Sequence, residues 1–402
     1  MTDGRTHDVV LFGATGFTGG LTAEYLARHA AAGARLALAG RHQGRLEAVR
    51  RRLAAINPAC AELPLLYADV TNPDSMSAMA AATRVVITTV GPYVRYGEPV
   101  VAACAEHGTD YVDLTGEPEF VDRTYLRHHE RATQTGARLV HACGFESIPY
   151  DLGGLFTVRA LPRGVPIRLD AFMRARGDVS GGTFQSAVTG FSRPRQNVQA
   201  HKERRRVEPL PDGRRVRAVS GRPGRRRDLG AWAIPLPTLD PQIVARSAAA
   251  LEVYGPDFTY RQYAAVRRLT TVAGLGSGLA AVLVAAQVPP IRRRLLNRRA
   301  PGAGPSEEKR ARSWFTVRFV GEGGGERVVT EVAGGDPGYT ETAKMLAESA
   351  LCLAFDDLPE SSGQVTTAAA MGDALIRRLR AAGIGFRVLE GAERTTPIGR
   401  RT

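Results

Sequence analysis

Asp8-Val9-Val10-Leu11-Phe12-Gly13-Ala14-Thr15-Gly16-Phe17-Thr18-Gly19 is an apolar run that breaks into three glycines and then opens a helix. A buried parallel strand ending at Phe12, a tight glycine turn and a helix from about Thr18 to Ala30 bring free N–H groups and a positive dipole end to one point, which makes a phosphate site. The spacing is G-x-x-G-x-x-G rather than G-x-G-x-x-G. Its meaning therefore comes from context: strand before, helix after, a second strand at the right distance. Gly13, Ala14, Thr15, Gly16, Phe17, Thr18 and Gly19 are the expected nucleotide-binding turn.

The second strand, Arg35 to Gly40, ends in Gly40-Arg41 where an NAD-binding unit usually carries a carboxylate. A carboxylate there binds the ribose 2′-hydroxyl and repels a 2′-phosphate, whereas arginine pairs with that phosphate. Arg41, with Arg45 one turn later, points to NADP; the plainer alternative is a solvated arginine at a helix start. Gly44 to Ile56 reads as a helix. The third strand, Leu65 to Val70, ends in Asp69-Val70, where Asp69 either meets the adenine amino group or caps the next turn. A fourth strand, Val85 to Val90, enters Gly91-Pro92-Tyr93 at the carboxyl edge of the sheet, where ligands collect.

Glu98 to His107 is a helix closed by Gly108, Tyr111 to Leu114 a fifth strand, and Glu119 to Thr135 a helix stopped by Gly136. A sixth strand, Arg138 to Cys143, opens into Gly144-Phe145-Glu146-Ser147-Ile148-Pro149-Tyr150-Asp151. Six alternations of strand and helix predict an α/β fold, a Rossmann-type doubly wound parallel sheet over residues 1–151. Beyond Asp151 the pattern changes. Strand-like alternation at Ile167 to Arg176, Phe315 to Phe319 and Arg327 to Val332, with a helix over Tyr339 to Phe355, predicts a second, α+β domain over 152–360 for substrate or dimerisation. Gly181-Gly182-Thr183 is expected to open a helix facing the cleft. Residues 361–402 supply a helix from Ala368 and a strand at Phe386 to Leu389 expected to return to the first sheet.

Formal net charge is +14, almost all of it arginine, because Lys202, Lys309 and Lys344 are the only lysines. Such a bias resembles that of a GC-rich genome, yet the charge still attracts lipid head groups, nucleotides or acyl carriers. No aromatic-studded basic motif points to nucleic acid. Cys60, Cys104, Cys143 and Cys352 are scattered without a C-x-x-C pair, so no metal or disulfide framework is expected, and a polar start implies a cytoplasmic protein. Two insertions interrupt the second domain. Residues 192–228 are Arg-rich and are expected to be a mobile solvated loop, with contact to an acidic carrier or membrane as the sharper reading. Residues 269–291 lack charge and are flanked by arginines, which suits a helix that is buried or lies in a membrane interface better than a span.

The turn Gly13 to Gly19, Gly40-Arg41, Val90-Gly91-Pro92-Tyr93, Tyr111 to Glu117 and Gly144 to Pro149 together resemble the saccharopine dehydrogenase-like oxidoreductases, most of all the actinobacterial trans-acting enoyl reductases. Ser180 to Thr183 and Val365 to Asp373 extend the likeness to the C-terminus. The chain departs from the family pattern at Glu146 and Tyr150, where that pattern has Asp and Ser. The resemblance implies an NADPH-dependent reductase that lends its activity to a polyketide synthase, with a small-molecule or carrier-bound acyl substrate. Peripheral membrane contact and a homodimer complete the expected partners.

Enoyl reduction needs a hydride at the β-carbon, a donor for the developing enolate oxygen and a proton for the α-carbon. Tyr93 is the first candidate, with Tyr150 and Glu146 behind it. Each has a bland alternative: Tyr93 as a wall of the nicotinamide site, Glu146 as a cap of the helix after Pro149. No lysine follows a tyrosine at the Tyr-x-x-x-Lys spacing, which disfavours a short-chain dehydrogenase mechanism. The rivals are a saccharopine-type amino-acid oxidoreductase and a non-catalytic lipid-surface protein that retains the nucleotide fold.

Overall fold

The computed structural model describes residues 4–177, 192–236, 238–268 and 304–391. The expected helix at Gly181 and the apolar stretch 269–291 lie outside them. Successive side chains of β1 (His7–Phe12) point to opposite faces. Val9 and Leu11 enter one core, and Val10 and Phe12 another, so both faces must be covered. β1 is an interior strand of a seven-stranded, wholly parallel sheet with β2 (Leu36–Gly40), β3 (Leu65–Tyr67), β4 (Thr83–Thr88), β5 (Asp110–Val112), β6 (Arg138–Val140) and β14 (Gly363–Val365). The order is β14-β6-β5-β4-β1-β2-β3.

Helices Pro73–Ala81, Glu98–His107 and Pro118–Thr135 cover one face, and Phe17–His29 with Gln43–Ala54 begin the other. That second face is completed by Thr340–Phe355, a helix from far along the chain. The Tyr25 hydroxyl ties the two together by donating to Glu348 Oε1 at 2.7 Å. The expected boundary at residue 360 therefore falls after a helix that belongs to the first sheet's packing.

The second sheet is mixed. It joins β7 (Ile167–Arg176), β8 (Arg215–Ala218), β9 (Gly224–Arg226), β10 (Ala231–Pro235), β11 (Asp257–Val266), β12 (Trp314–Gly323), β13 (Glu326–Gly334) and β15 (Gly385–Glu390). One apolar cluster runs from Leu11 and Val85 through Ile148 and Leu155 to Phe315 and Phe319, so the two sheets share a core. The C-terminal expectation is corrected here. Phe386 to Val388 pair antiparallel with β13 in the second sheet, while the short β14, which periodicity did not announce, joins the first.

The Arg-rich insertion is also corrected. It holds helix Pro194–Val207, β8 and β9, and its helix lies on Pro118–Thr135. Arg204 is 2% exposed. Its guanidinium sits 3.9 Å over the Tyr125 ring, bonds Glu208 at 2.9 Å and Gln364 Oε1 at 2.6 Å, and lies 3.5 Å from Asp122. A buried arginine with this many acceptors is an anchor, which a run of three arginines does not signal in sequence.

Among the described residues no helix is long and apolar enough to cross a membrane. All four cysteines are buried and unpaired.

Candidate active site

The turn after β1 is built of backbone. Gly13 has φ +100°, and a Cβ there would lie 2.7 Å from Thr89 Oγ1. A Cβ on Gly19 would lie 2.2 Å from the Gly13 carbonyl oxygen, so helix Phe17–His29 can approach the strand only without one. Gly16 is different: its nearest neighbour would be 3.5 Å away. The open side of the turn is thus at Gly16, where a pyrophosphate needs backbone access, and the residues present fit a dinucleotide. Ala14 is buried and Thr15 exposed, with Thr18 at the first turn of the helix. Phe17 stacks edge-on against Tyr339 at 4.9 Å and lies under Arg310, so the second sheet's segments reach the turn.

Arg41 and Arg45 are exposed beyond β2, on the side where Asp69 lies close enough to feel the Arg41 charge. The Asp69 carboxylate accepts from Thr71 N at 2.9 Å and Thr71 Oγ1 at 2.8 Å. Those bonds, more than Arg41, hold it below its usual range. The turn-capping role of Asp69 is seen in these bonds, and Val70 beside it is half-buried.

Gly91, Pro92 and Tyr93 form the loop after β4, at the carboxyl edge of the sheet. Both oxygens of the buried Glu117 accept backbone N–H groups there, from Tyr93 at 3.0 Å and Val94 at 2.8 Å. Sequence reading missed this role of Glu117; its position just before a Pro-initiated helix was the only signal. The Tyr93 hydroxyl donates to Thr88 O at 3.1 Å and accepts from Leu114 N at 3.2 Å, and its ring is 5% exposed. Both bonds tie the phenol to the backbone at the carboxyl ends of β4 and β5.

Behind this loop, Asp113 fixes the ends of β5 and β6. Its carboxylate accepts from Tyr111 OH, Thr115 N and Ala142 N at 2.8–3.0 Å, and lies 2.7 Å from His141 Nδ1. Ala142 holds φ +58°, an uncommon conformation for a residue with a Cβ, at the point where the chain leaves β6 for Glu146.

Glu146 follows. Its Oε2 is buried and has no hydrogen-bond partner among the described residues, and it lies 2.3 Å from where a Cβ on Gly144 would stand. Burial pushes its carboxyl up to about 8, and the charges of Asp240 and Asp113 push the same way. It does not cap the helix Ile148–Arg159, whose N-terminus has no side-chain cap. Tyr150, on the first turn of that helix, is 3% exposed and its hydroxyl makes no hydrogen bond among the described residues. Burial raises its phenol, then Asp240 and Glu146 raise it further.

Asp240 is the group that sequence reading did not find. It accepts from Gln262 Nε2 at 2.8 Å, and Gln262 Oε1 accepts from Tyr260 OH at 2.9 Å. Burial lifts Asp240 to about 6. Phe145 packs on Phe315 at 4.9 Å and its N–H donates to Thr342 Oγ1 at 3.1 Å, which locks the Glu146 loop to the second half of the chain. Tyr93 and Tyr150 both lie close enough to feel the Glu146 charge, and Glu146 Oε2 and Ser147 Oγ are buried without a hydrogen-bond partner among the described residues.

Residues 9–140, which include the glycine turn, match the family described as the saccharopine dehydrogenase NADP binding domain, and the cofactor of this chain is NADP(H). A Mycobacterium tuberculosis protein whose name assigns trans-acting enoyl reductase activity provisionally is 40% identical over 412 residues, covering 95% of this chain and 97% of its own length. A trans-acting enoyl reductase from the same species is 39% identical over 425 residues (94% and 97% covered), and one from Mycobacterium leprae is 36% identical over 419 residues (95% and 97%). Apo saccharopine dehydrogenase (L-Glu forming) from Saccharomyces cerevisiae shares the fold at a TM-score of 0.58, covering 96% of this chain and 100% of that one, with 11% identity. The chain is an NADP-dependent oxidoreductase of the saccharopine dehydrogenase-like type and belongs to the trans-acting enoyl reductase family.

Proposed function

We propose that this chain saturates the carbon–carbon double bond of an α,β-unsaturated acyl thioester, a polyketide or lipid intermediate made by a separate synthase, and that Glu146 supplies the proton. When bound, NADPH supplies the hydride that forms the new C–H bond at the β-carbon. The π electrons then move onto the thioester oxygen, and the α-carbon takes a proton to finish a saturated acyl group. Tyr150, kept neutral by burial beside two carboxylates, donates a hydrogen bond to that oxygen while it carries charge. Glu146, protonated at neutral pH, gives its proton to the α-carbon. Gly13, Gly16 and Gly19 seat the pyrophosphate, and Arg41 the 2′-phosphate.

One observation carries this reading: a carboxyl oxygen that is buried, unbonded and lifted toward 8 sits on a carboxyl-edge loop of a dinucleotide sheet. Purified protein given NADPH and a crotonyl thioester should lose nicotinamide fluorescence as butyryl thioester accumulates. Tight NADPH binding with no turnover of any enoyl thioester would sink the proposal.

A further inference from the structure

Helix Pro194–Val207 has two sides of opposite character. The inner side is bonded throughout. Arg193, just before it, pairs with Glu119 at 2.7 and 2.8 Å, Asn197 Oδ1 accepts from Glu119 N at 3.1 Å, Ala200 is buried, and Arg204 is the anchor described above. The outer side exposes Arg195, Lys202, Arg205 and Arg206, and none of the four forms an ion pair among the described residues. Glu203, the carboxylate on this side, is already bonded by Gln199 Nε2 at 2.9 Å. Other surface arginines of the molecule do find partners, as Arg131 does with Glu106 and Arg217 with Asp257. Like charges at helical spacing repel one another, so folding gains nothing from this row.

Arg195, Val198, Lys202, Glu203 and Arg206, all on this one helix, border an open surface space of about 600 Å³, with Val198 54% exposed. From Arg195 to Arg206 the row runs about 16 Å, the length of some three helical turns in a partner. Its N-terminal end is bonded to Glu119, two residues beyond the Glu117 that holds the Tyr93 loop. The row therefore starts beside the candidate active site and leads away from it.

We propose that this face docks the acidic helix of a small carrier domain that holds the acyl substrate on a flexible arm. The inference rests on the reading of the chain as an acyl-thioester reductase. A row of cations about three turns long, without ion-pair partners among the described residues and with one apolar residue among them, is complementary in charge and length to the carboxylates of a single partner helix.

The test is the triple variant R195E/K202E/R206E, which leaves Arg193 and Arg204 in place and should melt as the wild type does. Its KM is compared for a crotonyl group on an acyl carrier domain from a synthase of the same genome and for crotonyl-N-acetylcysteamine free in solution, with NADPH saturating. The expected result is a KM at least about tenfold higher for the carrier-bound substrate and unchanged for the free thioester, with the wild-type preference for carrier fading as salt rises. An unchanged KM on the carrier overturns the docking face. If the wild type reduces neither substrate, the reductase reading fails, and docking is decided separately by anisotropy of the labelled carrier domain. Binding weakened about tenfold in the variant supports docking, and equal or absent binding overturns it. Wild-type binding to phosphatidylglycerol vesicles that is lost in the variant, without carrier binding, assigns the face to a membrane and also overturns it.

Discussion

The turn at Gly13–Gly19 and the side-chain cluster around Glu146 do opposite jobs by opposite means. The turn uses backbone from seven consecutive residues, and its specificity lies in what is missing: no Cβ at Gly19, open space at Gly16. The cluster uses side chains, with Glu146 and Tyr150 after β6, Asp240 on a helix of the second half, and Gln262 on β11 behind it. A contiguous backbone site tolerates no added atom. An assembled side-chain site tolerates shape changes but depends on each proton.

The largest effect should come from the cluster. Glu146→Gln keeps the shape and removes the acid, so kcat should fall about 10²- to 10⁴-fold while the NADPH dissociation constant stays within about twofold. In the turn, Gly19→Ala forces a Cβ against the Gly13 carbonyl and should cost about 3 kcal/mol of stability in a denaturant titration, together with NADPH binding. Gly16→Ala should keep that stability and lose only cofactor affinity. Equal effects of the two alanines would break the distinction between the closed and open sides of the turn.

Arg41→Ala should lower affinity for NADPH by about 10- to 100-fold and leave NADH nearly unaffected, since only the 2′-phosphate contact is lost. The smallest effect belongs to Asp240→Asn. Removing that charge lets Glu146 ionise at lower pH, so the alkaline fall in rate should move toward acid by less than about one unit.

The comparison also explains what was legible in the sequence. The parallel sheet was, because the apolar runs of β1 through β6 alternate with helical stretches, two of them closed by glycine, at Gly108 and Gly136. The phosphate turn was, because its parts are adjacent in sequence. Helix Thr340–Phe355 was legible as a helix but not as a cover for the first sheet, since periodicity shows that a face is apolar and not what it meets. Arg204 read like Arg205 and Arg206, because depth inside the fold leaves no mark on a run of identical residues. The bonding of Tyr93 was hidden too, because a phenol in a Gly-Pro loop looks available until Thr88 O and Leu114 N are found bonded to it. Asp240 was invisible, being brought to Glu146 only by the fold.

Stability carries the same signature as catalysis. The folded carboxyl of Glu146 titrates at about 8. An unfolded glutamate titrates at about 4.3. The folded state thus binds the extra proton between these values, and its stabilising share is present below the lower value and lost as pH rises through the higher one. Glu146→Gln should flatten that part of the stability profile.

The most direct test of the account is a single turnover of crotonyl thioester by NADPH-loaded enzyme, followed by nicotinamide fluorescence across neutral to alkaline pH. The account predicts that the wild-type rate falls as pH passes about 8, and that the residual rate of Glu146→Gln shows no such fall. A variant as fast as the wild type, or one that keeps the same alkaline limb, would contradict it.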